Sequence, residues 1–265
     1  MSEPATAAPA PPRRLLRPAN ILRAALVALL LGLVLAPDGF TWLFAPFAPR
    51  PDAAIYARTS ILSLSLNHLL LVALASLAAT LVAVSLAVFV TRPAGAAFRP
   101  LSRTITNVGQ SFPPVAVLAL AVPALGFGAW PTLVALFLYG LLPIFENSLT
   151  ALTTLPPRTM EAARGMGLDR MQRLLQVELP LAAPVILAGV RVSVMISLGT
   201  ATIGSTVAAR TLGEPIIAGL LTNNTAYVLQ GGLIVGLFAV LIHDAFVQLE
   251  NRLSRRGRAQ GRASA

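Results

Sequence analysis

The sequence predicts an all-α membrane protein with six transmembrane helices and with both termini in the cytosol. Of its 265 residues, 56% are hydrophobic and only 11% are charged, whereas soluble globular domains carry about 25% charged residues. Uncharged runs that are long enough to cross a hydrocarbon core of roughly 30 Å recur along the chain. The arginines gather in alternate connections between these runs, which is the pattern of cytosolic loops in membrane proteins.

The uncharged runs set the positions of the six spans. The longest run, residues 104–145, contains no charged side chain. As a single helix it would measure about 63 Å, twice the thickness of a bilayer, so the chain must cross and return within it. Pro123, Gly126, Gly128 and Pro131 mark this turn. The predicted spans are residues 20–36, 69–91, 107–125, 130–148, 181–207 and 229–249.

Arginine counts give the orientation of the bundle. With both termini inside, the inner segments hold sixteen of the twenty arginines, the outer connections hold three, and Arg191 lies in the fifth span. Because cytosolic loops carry such an excess of basic residues, the connection between the fourth and fifth spans is placed in the cytosol, where ATP is available. A cleaved signal peptide is an alternative to the first span, but Pro37 directly follows its only small-residue cleavage site.

The same features divide the chain into three parts. Residues 1–19 are rich in Ala and Pro and are predicted to form a disordered cytoplasmic tail. Residues 20–251 form the transmembrane domain, with its core at about 65–250, and residues 252–265 form a basic cytoplasmic tail.

The cytosolic loop at residues 153–180 is predicted to contain two short helices separated by a glycine break at Gly165 and Gly167. Asp169 can cap the second helix, with Gln172 completing a capping box, and Pro180 is expected to end it. A compact protrusion of this kind suits docking into a groove of a soluble partner. Its apolar stripe and its arginines are Met171, Leu174, Leu175, Arg158, Arg164, Arg170 and Arg173.

This loop resembles the signature loop of the permease subunits of ATP-binding-cassette (ABC) importers. That signature is Glu-Ala-Ala, three residues, a glycine, nine residues, an aliphatic residue, one residue and Leu-Pro. The resemblance implies a type I importer permease fold with a cytoplasmic coupling helix, and residues 153–180 are called the coupling loop below. The plainer alternative is that Glu161 only begins an amphipathic helix. The matching residues are Glu161, Ala162, Ala163, Gly167, Val177, Leu179 and Pro180.

The resemblance also implies partners and a mechanism. ABC ATPase subunits would bind both ATP and the coupling loop, so this chain would hold no cofactor of its own. A second permease subunit, identical or paralogous, would complete a path that opens by alternating access. An external solute-binding protein would deliver the solute. The location implied is the lipid bilayer of a bacterial inner membrane.

The segment between the fifth and sixth spans resembles one branch of this family, the permeases for glycine betaine, choline and carnitine. This narrower resemblance implies an osmoprotectant as the solute. Import of another small solute, such as an amino acid, stays open as an alternative. The matching positions are Leu212–Gly213, Ile217, Gly219–Leu220 and Asn224, together with the run Leu138–Pro143 and Asp244.

Five polar residues in the spans are candidates for lining the pathway. Asn107 and Gln110 lie at the start of the third span, and Ser193, Ser197 and Thr200 lie in the fifth. Polar groups in apolar spans line water-filled paths, pack helices closely together or accompany a break in a helix. A pathway or a local break therefore stays open for the first two, and a pathway or helix packing for the other three.

Other classes of function are disfavoured by composition. The chain has no lysine and no cysteine, so it lacks the lysine of a phosphate-binding glycine loop and any thiolate chemistry, and no catalytic site is predicted. His68 and His243 differ too much in predicted depth to form a metal site. The arginines are dispersed rather than gathered on one face, which argues against nucleic-acid binding. A self-contained secondary transporter that uses Arg191, Glu146 and the His243–Asp244 pair is the competing hypothesis.

Overall fold

The computed structural model describes residues 18–263, which form eleven α-helices joined by short turns and contain no β-strand. The all-α prediction is confirmed. Of the predicted tails, residues 1–17 and 264–265 lie outside the described part, and residues 252–263 continue the last helix. The helices are α1 (Pro18–Leu35), α2 (Thr41–Phe44), α3 (Ile61–Val90), α4 (Arg99–Ser111), α5 (Pro114–Leu125), α6 (Ala129–Thr153), α7 (Pro157–Gly165), α8 (Arg170–Arg173), α9 (Leu179–Ile203), α10 (Gly213–Leu221) and α11 (Thr225–Ala263).

Four helices are long and apolar enough to cross a membrane unaided: α3, α6, the continuous element Arg170–Val207 that contains α9, and α11. Two further pairs of helices qualify only when they are taken together. Asn20–Leu35 meets Pro37–Phe47 at 114°, and Ala96–Ser111 meets Pro114–Leu125 at 95°. The described residues therefore supply six membrane segments, two of them bent, when each pair counts as one.

The third predicted span is not a continuous helix, so the prediction of one helix over residues 107–125 is wrong. α4 and α5 are separated at Phe112, whose backbone is extended with φ −91° and ψ 142°. Pro113 and Pro114 follow directly, and a residue that precedes a proline is forced out of the helical region. Two consecutive prolines also remove two N–H donors. A local break in the helix was one of the two explanations kept open for Asn107 and Gln110. That break is present, and both residues lie on α4, before it.

α6 lies at the centre of the bundle and packs against α3, α4, α5 and α9. The contact face of α3 is a row of alanines, Ala79, Ala83 and Ala87, none of which exposes any surface. They pack with Ile144 and Phe145 of α6. Small side chains let two helix backbones approach closely. Because the coupling loop joins α6 to α9, it projects from the most closely packed part of the molecule.

The outer end is joined by hydrogen bonds between the α1–α3 connection and the last two helices. The Tyr56 N–H donates to Gln230 Oε1 at 2.9 Å, and the Tyr56 hydroxyl donates to Glu214 Oε1 at 2.7 Å. Asn224 Nδ2 donates to the Ala53 carbonyl at 2.8 Å. Burial, followed by the hydrogen bond to Glu214, raises the pKa of Tyr56 to about 12. These bonds fix α10 between α9 and α11 on the outer side.

Candidate coupling site

The glycine of the loop motif ends α7 in a Schellman turn. Gly167 has φ +78°, a backbone conformation that glycine adopts far more readily than other residues. Its N–H donates to the Arg164 carbonyl at 2.9 Å, and the Leu168 N–H donates to the Ala163 carbonyl at 3.2 Å. These two bonds satisfy carbonyls that the end of the helix leaves free. Backbone geometry therefore explains why the motif has glycine at this position.

Asp169 then caps α8 through the predicted capping box. Asp169 Oδ1 accepts hydrogen bonds from the N–H groups of Met171 and Gln172, each at 2.8 Å, while Gln172 Oε1 accepts from the Asp169 N–H at 2.9 Å. Arg173 Nη1 donates to the Leu168 carbonyl at 2.9 Å. The connection between α7 and α8 is thus fixed by local hydrogen bonds at both ends, and the prediction of this cap is confirmed.

The tip of the coupling loop exposes both charged and apolar side chains. Glu161 and Ala162 are exposed on α7, whereas Ala163 of the same motif is buried. Met166 is 72% exposed, Met171 62% and Leu175 58%. Large apolar side chains grouped at the end of a protrusion mark an interaction surface. We call Met166, Met171 and Leu175 the protruding apolar face.

None of the four arginines of the coupling loop has an acidic partner among the described residues; Arg173 donates to a backbone carbonyl, and the other three are Arg158, Arg164 and Arg170. All three are exposed. Together with the protruding apolar face, they give the tip a positively charged and partly apolar surface. Such a surface can bind a partner that offers acidic side chains around an apolar groove.

The second half of the motif lies at the base of the protrusion. Leu179 and Pro180 form the first turn of α9, and the half-buried Leu179 packs against the core formed by α3 and α6. Val177 is also half-buried. The structure therefore separates the motif into an exposed tip around Glu161 and a base that contacts the bundle.

The prediction that Pro180 ends the second helix is wrong. α8 continues into α9 through a π-helical turn, Leu174–Glu178, in which the Leu179 N–H donates to the Leu174 carbonyl five residues back. This wider turn precedes the proline, so the α-helical bond that Pro180 cannot make is not required there. α8, which carries Met171 of the tip, and the fifth span are consequently one continuous helical element.

The inner end of the bundle carries four arginine–carboxylate pairs, each between two different segments, and sequence reasoning missed all four. A carboxylate in an otherwise apolar span needs a cationic partner, but sequence alone does not say which arginine supplies it. Arg191 of the fifth span pairs with Glu250 of the last helix. The pairs are Arg23–Asp244 at 2.7 Å, Arg103–Glu146 at 2.9 Å, Arg191–Glu250 at 2.9 Å and Arg92–Glu178.

Of the pathway candidates on α4, Asn107 is exposed and Gln110 is half-buried. Gln110 Nε2 donates to the Tyr139 carbonyl of α6 at 2.9 Å, which fixes the side chain against the neighbouring helix. Asn107 lies on an exposed polar stripe of α4 with Thr104 and Ser111, spaced for one helix face. The pathway role of Asn107 and Gln110 stays a prediction.

The three candidates on α9 differ in exposure. Ser193 and Ser197 are fully buried, and neither hydroxyl has a hydrogen-bond partner in the described residues. Ser193 faces Gly140 of α6, where an added Cβ would lie 2.5 Å from the serine Oγ. Within this chain these two serines therefore occupy helix packing contacts. Thr200 is half-buried, and the pathway role of all three stays a prediction.

Comparisons with known proteins place this geometry in a family. Residues 79–255 match the family described as binding-protein-dependent transport system inner membrane component. This range includes the whole coupling loop and all of α6 and α9. The match therefore covers the elements that form both the tip and the base of the protrusion.

Named relatives match most of the chain. An osmoprotectant import permease protein, OsmY of Salmonella typhimurium, is 39% identical over 197 residues, 74% of this chain and 84% of the relative. The choline transport system permease protein OpuBB of Bacillus subtilis is 35% identical over 191 residues, 72% of this chain and 87% of the relative. The glycine betaine/carnitine/choline transport system permease protein OpuCB of the same organism is 33% identical over 184 residues, which are 67% of this chain and 85% of the relative.

A solved structure of the MetNI methionine ABC transporter, in an inward-facing conformation, gives a TM-score of 0.61 at 23% identity, covering 71% of this chain and 93% of that chain. At this identity the likeness shows the fold alone, and it confirms the predicted type I importer permease fold. The resemblance that the loop motif carries is confirmed by the family match and the relatives. This chain belongs to the family of binding-protein-dependent transport system inner membrane components, the permease subunits of ABC importers.

Proposed function

We propose that this chain imports small quaternary-amine osmoprotectants, of the glycine betaine and choline type, and that a separate ATPase drives it through the coupling loop. The observation that carries the proposal is the form of the loop. Its tip is fixed by a Schellman turn and a capping box and exposes Glu161, while its base is continuous with α9. A rigid lever of this kind passes a displacement at the tip to the membrane helices.

The complete importer then consists of two ATPase subunits, two permease subunits and an external solute-binding protein. The ATPase subunits close on ATP and carry the two coupling loops with them. The helix bundles rearrange around a central path, which opens alternately to the two sides of the membrane. The second permease subunit is either a copy of this chain or a paralogue.

The substrate class is supported by the relatives, whose names specify osmoprotectants, choline, glycine betaine and carnitine. Recognition of a quaternary ammonium group relies on a cage of aromatic faces, and only 6% of this chain is aromatic. We therefore assign selectivity mainly to the external binding protein, and passage of the solute to the permease.

Of the four residues that a self-contained secondary transporter would use, Arg191, Glu146 and Asp244 are engaged in ion pairs. Arg191 lies 2.9 Å from Glu250, Glu146 accepts two contacts from Arg103, and Asp244 pairs with Arg23. Residues held in this way join helices to one another. This arrangement supports the ATPase-driven mechanism over one that relies on proton binding within the spans.

Reconstitution in proteoliposomes tests the proposal. The complex of this chain, its ATPase and its binding protein should accumulate labelled choline or glycine betaine only when ATP is supplied on the cytosolic side. The variant Glu161→Arg should lose both uptake and co-purification of the ATPase. Asp52→Arg, the same charge reversal at an exposed outer position, should keep the ATPase bound.

Uptake driven by a proton gradient in the absence of the ATPase would contradict the mechanism. ATP-driven uptake of an amino acid, with no uptake of choline or glycine betaine, would contradict the substrate class alone.

A further inference from the structure

Glu178 lies between Val177 and Leu179, at a position where the loop motif specifies no residue type. It is the only buried charged residue among those the structure describes, with 7% of its side chain exposed. Its two carboxylate oxygens accept separate hydrogen bonds from one guanidinium: Arg92 Nη1 donates to Oε1 at 3.1 Å, and Arg92 Nη2 donates to Oε2. The arrangement is a two-point contact that fixes both distance and angle.

The two partners belong to parts of the chain that no peptide link joins directly. Arg92 directly follows Thr91, which caps the inner end of α3, and its N–H donates to the Phe89 carbonyl at 3.1 Å. Glu178 is the last residue of the π-helical turn and immediately precedes α9. The pair therefore ties the inner end of α3 to the base of the coupling loop.

Displacement of the tip has a covalent route into α9 but none into α3. α8, the π-helical turn and α9 form one continuous element, so a displacement of α8 is passed directly to α9. α3 follows only through side-chain contacts. Among the ion pairs and hydrogen bonds that the described residues form, the Arg92–Glu178 pair is the one that connects the coupling loop to α3.

Burial of its carboxylate distinguishes this pair from the other three at the inner end: Glu178 exposes 7% of its side chain, against 19% for Glu250, 33% for Asp244 and 35% for Glu146. Arg103–Glu146 also joins two helices with two contacts, but its side chains are 52% and 35% exposed. Exposed pairs are weakened by water and salt, whereas breaking a buried pair leaves an uncompensated charge. Glu178 therefore depends on Arg92 to compensate its charge.

We propose that Arg92 and Glu178 are positioning residues that carry the displacement of the coupling loop to α3. This inference rests on the proposed function, in which an ATPase drives the loop. Since α3 packs on α6 through its row of alanines, a displacement of its inner end moves the contact at the centre of the bundle. The inner end of α3 then follows the coupling loop closely, whereas without the pair it follows only through its apolar packing on α6 and α9.

The variant Glu178→Gln tests the proposal in the reconstituted complex, because it keeps the shape of the side chain and one acceptor while it removes the charge. We expect the complex to assemble and to hydrolyse ATP, and the amount of solute imported per ATP to fall by about two- to thirtyfold, the range found for residues that transmit coupling between sites. A merely structural role would lower uptake and hydrolysis together and leave this ratio unchanged.

Glu146→Gln is the matched control, since it makes the same change in a pair that does not touch the coupling loop, and its ratio should equal that of the unmodified protein. Arg92→Lys keeps the charge but loses the two-point contact, and should lower the ratio by less than Glu178→Gln does. If the complex with Glu178→Gln does not assemble, the amount of solute imported per ATP by the Arg92→Lys complex tests the proposal instead.

An unchanged ratio in both Glu178→Gln and Arg92→Lys, or an equal fall in Glu146→Gln, would overturn the inference while Glu161→Arg still abolishes uptake. Failure of the proposed function gives a different result, because the unmodified complex would then show no ATP-dependent uptake, and both proposals would fall.

Discussion

At the outer end, Tyr56, Glu214 and Gln230 join the α1–α3 connection to α10 and α11 through hydrogen bonds around largely buried groups. At the inner end, arginine–carboxylate pairs such as Arg23–Asp244 and Arg103–Glu146 join helices that are distant in sequence. The outer contacts lie within close backbone packing, whereas most of the inner contacts are partly open to water.

This difference indicates that the outer end of the bundle holds its shape and that the inner end is suited to move. A partly hydrated ion pair loses little free energy when its two helices shift, because water replaces the lost contact. A buried hydrogen bond has no such replacement. We therefore expect the outer end to act as a fixed platform and the inner end, where the coupling loop attaches, to rearrange.

The largest effect is expected from Gly213→Ala at the outer end. An added Cβ would overlap the Thr202 carbonyl, and backbone on both sides of the clash leaves no flexible side chain to give way. The loss of stability should be about 3 kcal/mol or more, seen as a lower midpoint of thermal unfolding of the purified protein. Gly236→Ala on α11 is the control, since no atom lies within 4 Å of its added Cβ. Equal stability of the two variants would refute the fixed platform.

A smaller effect is expected from Gly167→Ala in the coupling loop. At φ +78° an alanine in place of glycine costs about 1–2 kcal/mol, although no neighbouring atom would be met. Gly165→Ala, within the helical part of the same loop and equally free of neighbours, should instead stabilise α7. ATPase binding measured by co-purification should weaken only in the first variant. Weakening in both would show that the Schellman turn has no special importance.

Tyr56→Phe should have an effect of about 1 kcal/mol, the net value of one hydrogen bond, because Glu214 keeps its bond from Thr59. The pKa of Tyr56 lies above its ordinary value of 10.0, at about 12. Its contribution to stability is therefore fully present below the ordinary pKa and is lost as pH rises toward the raised one. Unfolding midpoints measured across this alkaline range should fall more for the unmodified protein than for the phenylalanine variant. Parallel curves would show that folding does not raise the pKa of Tyr56.

Asp244→Asn should have the smallest effect, because Arg23 and Asp244 are both about one-third exposed. The stability difference from the unmodified protein should shrink further as salt is added, since salt screens exposed charges. A large and salt-independent difference would show that the inner end is as rigid as the outer one.

Local features of the coupling loop were predictable from the sequence. The capping box of Asp169 and Gln172 and the turn at Gly167 depend on residues a few positions apart, so their pattern is visible in the sequence. The spans were predictable for the same reason, because each is a contiguous and predominantly apolar run. Their ends were less accurate, since α3 begins at Ile61 rather than at residue 69.

Features that depend on contacts between distant segments were not predictable. Glu178 lies inside the recognised motif, yet its partner Arg92 is 86 positions away. The same is true of Asp244, whose partner Arg23 is 221 positions away. The bend after α4 was only partly visible, because its two prolines indicate a break but do not give its angle. The π-helical turn before Pro180 has no local sequence signal that we can name.

Cross-linking from single cysteines tests the central claim that the coupling loop is the contact with the ATPase. The natural chain contains no cysteine, so Met171→Cys and Leu220→Cys each introduce a unique thiol, at sites that are 62% and 66% exposed on opposite ends of the bundle. A bifunctional thiol reagent applied to the assembled complex should join Met171→Cys to the ATPase subunit and leave Leu220→Cys unjoined to it. A cross-link to the ATPase from position 220 with none from position 171 would contradict the account.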